Sequence, residues 1–203
     1  MEHEERARQG TARQGTVVCL FMENKMDKII YFDRSYECER NERGYFDFLD
    51  YAFSKTDYFM LVYVNYNGRG YTRKQKFFRK KLERFKVKSR SNPSWPGTLK
   101  TFSANSTYKI IFYKNELPAK EILKQNSSLS DWSRPNGPED LAFFKGNKCW
   151  FYSVGHESIA AIIHADEEDL DFLETHMLAK KKNAFTSKDN YFDAYDEIIN
   201  EKI

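Results

Sequence analysis

Residues 65–76 bring together side chains and backbone that suit an anion: Asn65, Gly68, Arg69, Gly70 and Arg73, where an apolar strand-like run gives way to a helix-like one. Glycines let backbone N–H groups approach a ligand, and the first turn of a helix carries positive partial charge. Arg69 and Arg73 add charge-assisted donors that match phosphate or carboxylate oxygens. The segment contains neither GxxxxGK[ST] nor GxGxxG, so no nucleotide-binding loop of known pattern is present, and a plain strand-to-helix turn is the simpler reading.

The following segment is the most biased in the chain. From Arg69 to Arg90 there are eleven Lys or Arg and a single acid, Glu83. Tyr71, Phe78, Leu82 and Phe85 recur at helical spacing, which predicts one basic helix over residues 72–88 with its apolar stripe beneath. Arg73, Lys74, Lys76, Lys80, Lys81 and Arg84 would then face solvent, with Arg79 between them. Clustered cations favour polyanions through counterion release, and Trp95 or Tyr71 could stack on bases. The competing reading is a solvated helix face, or one neutralised internally by acids elsewhere in the chain.

Two further groupings could do chemistry. Cys149, His156, His164 and His176 lie near Asp166, but their spacing matches no zinc signature, and strand alternation places Cys149 with Phe151 and Ser153 as a core residue. A Cys–His or Ser–His pair would need hydrogen-bond reach and an orienting group. Asp33-Arg34-Ser35 closes the first strand, with Glu37 and Glu39 beyond it, and would share a sheet edge with residues 67–70 if the first two strands were parallel neighbours. An Asx turn is the plainer account of Asp33.

The elements that must position these groups can be read from periodicity. Residues 29–32, 58–66 and 107–113 are strand-like, rich in β-branched and aromatic residues. Tyr45, Phe48, Leu49, Ala52 and Phe53 form one helical stripe; residues 118–125 form a short helix with Pro118 in its first turn. Residues 141–144 and 149–154 flank Lys145-Gly146-Asn147-Lys148 as a hairpin, and residues 158–164 form a further strand. Asp166 opens a helix that buries Leu170, Leu173 and Met177, and a last helix from about Ser187 would bury Tyr191, Tyr195 and Ile198. The expected class is α+β: a mixed sheet with an initial βαβαβ alternation, a later antiparallel hairpin and two C-terminal helices.

Residues 26–203 are expected to form a single mixed α/β domain. Residues 1–25 are expected to be a disordered extension, since Ala7-Arg8-Gln9-Gly10-Thr11 recurs at once as Ala12-Arg13-Gln14-Gly15-Thr16 without helix or strand period. Aromatic residues make up 16% of the 203, too many for a wholly disordered chain. Three cysteines, Cys19, Cys38 and Cys149, form neither a CxxC pair nor an even framework, which argues against a disulfide scaffold. The longest apolar runs fall far short of the ~20 residues of a membrane span, so the expectation is a cytoplasmic protein away from membranes. Charge is divided: against the basic segment, residues 131–178 carry ten acids and three bases.

At Tyr31-Phe32-Asp33-Arg34-Ser35-Tyr36-Glu37, at Asn92-Pro93-Ser94-Trp95-Pro96-Gly97 and at Asp140-Leu141-Ala142-Phe143-Phe144-Lys145-Gly146 the chain resembles small proteins of endospore-forming bacteria that go under descriptions of the type "stage III sporulation protein AH". The resemblance spans about residue 27 to the end and implies an association with sporulation. It carries over no fold, residue role or channel function, since the channel protein of that description has a membrane anchor and a ring-building domain.

Function therefore reads as non-enzymatic binding or regulation, including a toxin-neutralising role, with a protein partner engaged through the charge-divided surface. Nucleic-acid binding on the basic helix is the alternative. A small hydrolase or nucleotide-acting enzyme at the edge of Asp33 and Gly68–Gly70 is a third. The residues expected to hold an anion or nucleic acid are Gly68, Arg69, Gly70, Arg73, Lys74, Lys76, Lys80, Lys81, Arg84 and Trp95. No catalytic residue, cofactor or metal is assigned.

Overall fold

A computed structural model describes residues 29–33, 42–65, 68–92, 95–97, 107–179 and 184–185. Within them the order is β1 (Ile29–Tyr31), α1 (Glu42–Lys55), β2 (Tyr58–Asn65), α2 (Arg73–Leu82), a 3-10 turn (Glu83–Phe85), β3 (Lys86–Asn92), β4 (Thr107–Lys114), α3 (Leu117–Leu123), β5 (Glu139–Lys145), β6 (Lys148–Val154), β7 (Ile159–Ile162), α4 (Glu167–Thr175) and β8 (Ala184–Phe185). The expected extension over residues 1–25 and the expected last helix from Ser187 lie outside the described residues.

The strands form one sheet in the order β3-β4-β2-β5-β6-β7-β1-β8, and every neighbouring pair is antiparallel. The α+β class holds, while the mixed, partly parallel sheet does not. Two reversals separate β2 from β3 and four separate β2 from β1, so these helix-linked strands do run the same way. They are not neighbours, because β4 inserts between β2 and β3, and β5, β6 and β7 insert between β2 and β1.

Strand β2 shows why the centre of the sheet reads as an unbroken apolar run. Phe59, Leu61 and Tyr63 enter one buried cluster, and Met60, Val62 and Val64 enter another on the opposite face. The four α-helices among the described residues all contribute to the first cluster: Tyr45, Phe48, Leu49 and Ala52 from α1, Phe78 and Leu82 from α2, Ala119 and Leu123 from α3, and Leu170 and Leu173 from α4. Phe48 lies at its centre, with ring centroids 5.2 Å from Phe32, 4.6 Å from Phe151 and 6.1 Å from Phe143. Trp132 joins the loop after α3 to the same core: its Nε1 donates to Tyr45 Oη at 3.0 Å, and Tyr45 donates to the Leu123 carbonyl at 3.2 Å.

Two local departures shape the functional surfaces. The helix expected over residues 72–88 stops at Leu82; the chain tightens into the 3-10 turn and then extends as β3. The apolar stripe continues beneath, since Phe78, Leu82 and Phe85 are all buried. Beyond Phe85 the sequence Lys-Val-Lys-Ser-Arg-Ser-Asn has no helical apolar repeat, and the backbone of β4 supplies its hydrogen-bond partners instead. The second departure is a bulge on β6. Phe143 pairs with Phe151 but Phe144 pairs with Cys149, so Trp150 is the extra residue. Cys149 therefore joins the cluster of Tyr152 and Val154, across the sheet from Phe151, and not the same face as expected.

Candidate functional site

Thr72 begins α2 with a reciprocal capping box: its Oγ accepts from Gln75 N at 3.1 Å, and Gln75 Oε1 accepts from Thr72 N at 2.9 Å. With Phe78 and Leu82 turned inward, Arg73, Lys74, Lys76, Lys80 and Lys81 project into solvent. Arg79 is half-buried and lies over the Tyr71 ring at 5.4 Å, while the exposed Arg84 covers Phe85 at 4.6 Å. Strand β3, outermost in the sheet, adds the exposed Lys86, while Lys88 and Arg90 are half-buried and pair with Phe112 and Ile110, on the sheet face opposite α2. Phe77 and Val87 are exposed apolar residues among these cations.

Neutralisation along the exposed face of α2 is slight among the described residues. Lys86 hydrogen-bonds Glu83 and holds its carboxyl below the usual carboxylate range, with Arg79 and Lys109 contributing at longer range. Among the described residues Arg73, Lys74, Lys76, Lys80 and Lys81 form no ion pair. The acids at the start of α4 are engaged by another cation. Lys55 at the end of α1 lies 3.5 Å from Asp166, 2.7 Å from Glu168 and 3.6 Å from Asp169. Asp169 also accepts from Tyr51 Oη at 2.7 Å and from Trp150 Nε1 at 3.4 Å. Burial pulls the Lys55 ammonium down, but Glu168, Tyr51 and Asp169 outweigh it and hold the group charged to higher pH.

The other expected binding residues fall differently. Gly68 and Gly70 adopt φ of +71° and +82°, which favours glycine, and Gly70 N donates to Asn65 Oδ1 at 2.7 Å. That backbone donor is thus used within the loop, as are the capping groups of Thr72, so the loop reads as a turn and helix start with Arg69 exposed beside it. Trp95 is not beside the ridge as a stacking platform. It is buried in the cluster on the face opposite α2, edge-on to Tyr108, and its Nε1 donates to Asp140 Oδ2.

Asp33 and residues 68–70 stand at the same end of the sheet but three strands intervene, about 19 Å at the usual spacing. The expected Asp33–Gly edge is therefore not one site. Cys149 and His164 line a pocket of about 280 Å³ with Lys55, Lys145, Lys148 and Trp150. His156 is at the opposite end of the sheet, after β6, and His176 follows α4 with Nδ1 2.9 Å from the Phe172 carbonyl. The Cys–His set thus divides into separate places.

A grouping that the sequence reading missed occupies the end of the sheet where β5 begins. Glu139, Asp140 and His156 bring ligand-capable atoms within 4.8 Å of one another. Glu139 is 3% exposed and Asp140 is fully buried. Burial drives both carboxyls upward in pKa; the bonds from Trp95 and Gly155 to Asp140, and from Arg134 N to Glu139, offset only part of this. The sequence signal was available as Glu-Asp placed between Pro138 and a wholly apolar strand.

No helix among the described residues is long and apolar enough to cross a membrane. Comparison with known proteins finds no matching family model, no similar curated protein and no similar solved structure.

Proposed function

We infer that the protein is a non-catalytic binding protein that captures an acidic protein partner on the exposed basic face of α2 and the turn that follows it. The observation that supports this most is the separation of the two charged halves. Lys55 gathers Asp166, Glu168 and Asp169, while Arg73, Lys74, Lys76, Lys80 and Lys81 keep their charge facing solvent without an ion pair among the described residues. Clustered exposed cations steer an oppositely charged surface and fix its register. Phe77 and Val87 give the ridge apolar contact area of the kind a protein surface can cover. The resemblance to proteins of spore-forming bacteria is the reason to seek that partner among sporulation proteins, and a toxin is the other partner class to screen.

Nucleic acid is the second reading, and it rests on the same eleven cations. It is weakened by Trp95, whose indole is covered and bonded to Asp140 instead of offering a stacking face. The test is elution of the full chain from immobilised poly-L-glutamate and from immobilised single-stranded RNA, alongside Lys74→Glu/Lys80→Glu/Lys81→Glu. The wild type should be retained on poly-L-glutamate and released by salt, and the variant should elute near the void with an unchanged circular-dichroism spectrum. Equal elution of the two proteins would remove the ridge from the account. Retention on RNA alone would favour the second reading.

A further inference from the structure

We propose that Glu139, Asp140 and His156 form a binding site for a divalent transition-metal cation. The three residues come from two different segments, the start of β5 and a 3-10 turn, Gly155–Glu157, after β6, and converge to within 4.8 Å. Zinc bound through nitrogen and oxygen at ~2.1 Å places its ligands about 3.4 Å apart, against the 4.8 Å that bounds the three ligand atoms here. Two carboxylates with one imidazole suit Mn²⁺ or Zn²⁺ better than Mg²⁺ or Ca²⁺, which take oxygen ligands alone.

Several independent features make this a built site. Adjacent residues in a strand point to opposite faces, yet Asp140 has φ of +51° and its carboxylate comes round to meet that of Glu139. Neither carboxylate forms an ion pair among the described residues, although Glu139 is 97% covered and Asp140 wholly so. Glu139 Oε1 accepts a single hydrogen bond, from Arg134 N at 3.1 Å. A covered carboxylate without a direct ion pair is expensive to hold, and a cation at this point offsets that directly.

Asp140 is also oriented as ligating carboxylates are, by Trp95 Nε1 on one oxygen and by Gly155 N at 2.9 Å on the other. The backbone is drawn tight around it: a Cβ on Gly97 would collide with the Asp140 carboxylate, and one on Gly155 would collide with the Trp132 carbonyl. Glu157 lies 3.7 Å from His156 Nε2 and adds negative charge at the rim. Three protein ligands, one of them an exposed histidine, leave coordination positions open to solvent.

The site is tested by stripping the tag-free, full-length protein with chelator and titrating it with Mn²⁺ and, separately, Zn²⁺ by calorimetry, with metal content of the dialysed protein read by mass spectrometry. His156→Ala changes an exposed side chain, so its fold should persist, and Glu139→Gln keeps the volume of the residue it replaces. One equivalent of at least one of the two ions should bind, with affinity lower by about tenfold or more in both variants. Failure of both ions to bind saturably would overturn the proposal. So would uptake by either variant equal to that of the wild type, which would locate the metal on His164, His176 or Cys149 instead.

Discussion

Trp95 shows how far a residue's surroundings govern what its chemistry can be. The sequence places it in a Pro- and Gly-rich turn soon after a run of cations, where an exposed indole would serve as a platform. The fold turns it inward, onto Tyr108 and the carboxylate of Asp140. Nothing local in Asn-Pro-Ser-Trp-Pro-Gly encodes that outcome, because the partner carboxylate lies 45 residues later. Phe48 is the opposite case. Its place in the i, i+3, i+4 stripe already assigns it to the core, and the structure surrounds it with Phe32, Phe143, Phe151 and Trp150. Phe48→Ala should lower the unfolding free energy by roughly 3–5 kcal/mol in denaturant melts. A loss under about 1 kcal/mol would mean that the aromatic cluster closes over the gap with little penalty.

At the scale of elements, strongly periodic segments were legible and weakly patterned ones were not. Helix α1, strands β2 and β4, the β5–β6 hairpin and the Asp166 cap of α4 all follow from apolar period and capping chemistry. Strand β3 does not, because an edge strand with half its residues exposed carries charge where a central strand carries Val or Phe. The unbroken apolar stripe from Phe78 to Phe85 then invites the helix to be drawn too long. The bulge at Trp150 was equally hidden, since it depends on pairing across β5.

Charge also links elements: Asp50 on α1 meets Lys120 and Lys124 of the α3 region. Burial pushes the Asp50 carboxyl up, but the hydrogen bonds from the two lysines outweigh it, and the net shift is downward. A carboxyl lower in the folded than in the unfolded state adds stability above the unfolded value of about 3.9, and that gain disappears as pH falls through the folded value. Asp50→Asn should therefore melt slightly below the wild type at neutral pH and converge with it in strong acid. Exposure of the pair limits the difference to about 0.2–1 kcal/mol. A gap that widens on acidification would reverse the sign assigned to Asp50.

Across the whole molecule, strand direction was legible only in part. The helical crossover from β1 to β2 gives strands of like direction, but β5, β6 and β7 lie between them, and β4, the strand expected next, runs antiparallel to β2 as its direct neighbour because β3 takes up the reversal. Insertion of that kind is decided by long-range pairing energy, which a local period does not record. The same holds for charge: the two biased halves are visible in the sequence, whereas the choice of Lys55 over α2 as partner of the acidic helix is visible only in three dimensions. It is this choice that leaves the ridge of α2 available.

The most direct measurement is the affinity of the full chain for a soluble acidic polypeptide, poly-L-glutamate, across a series of salt concentrations. If the exposed lysines and arginines of α2 make the contact, log affinity should fall linearly and steeply with log salt, and the Lys74→Glu/Lys80→Glu/Lys81→Glu protein should show little binding at any point. A flat salt series, or the same slope in both proteins, would contradict the claim that this ridge is a docking surface.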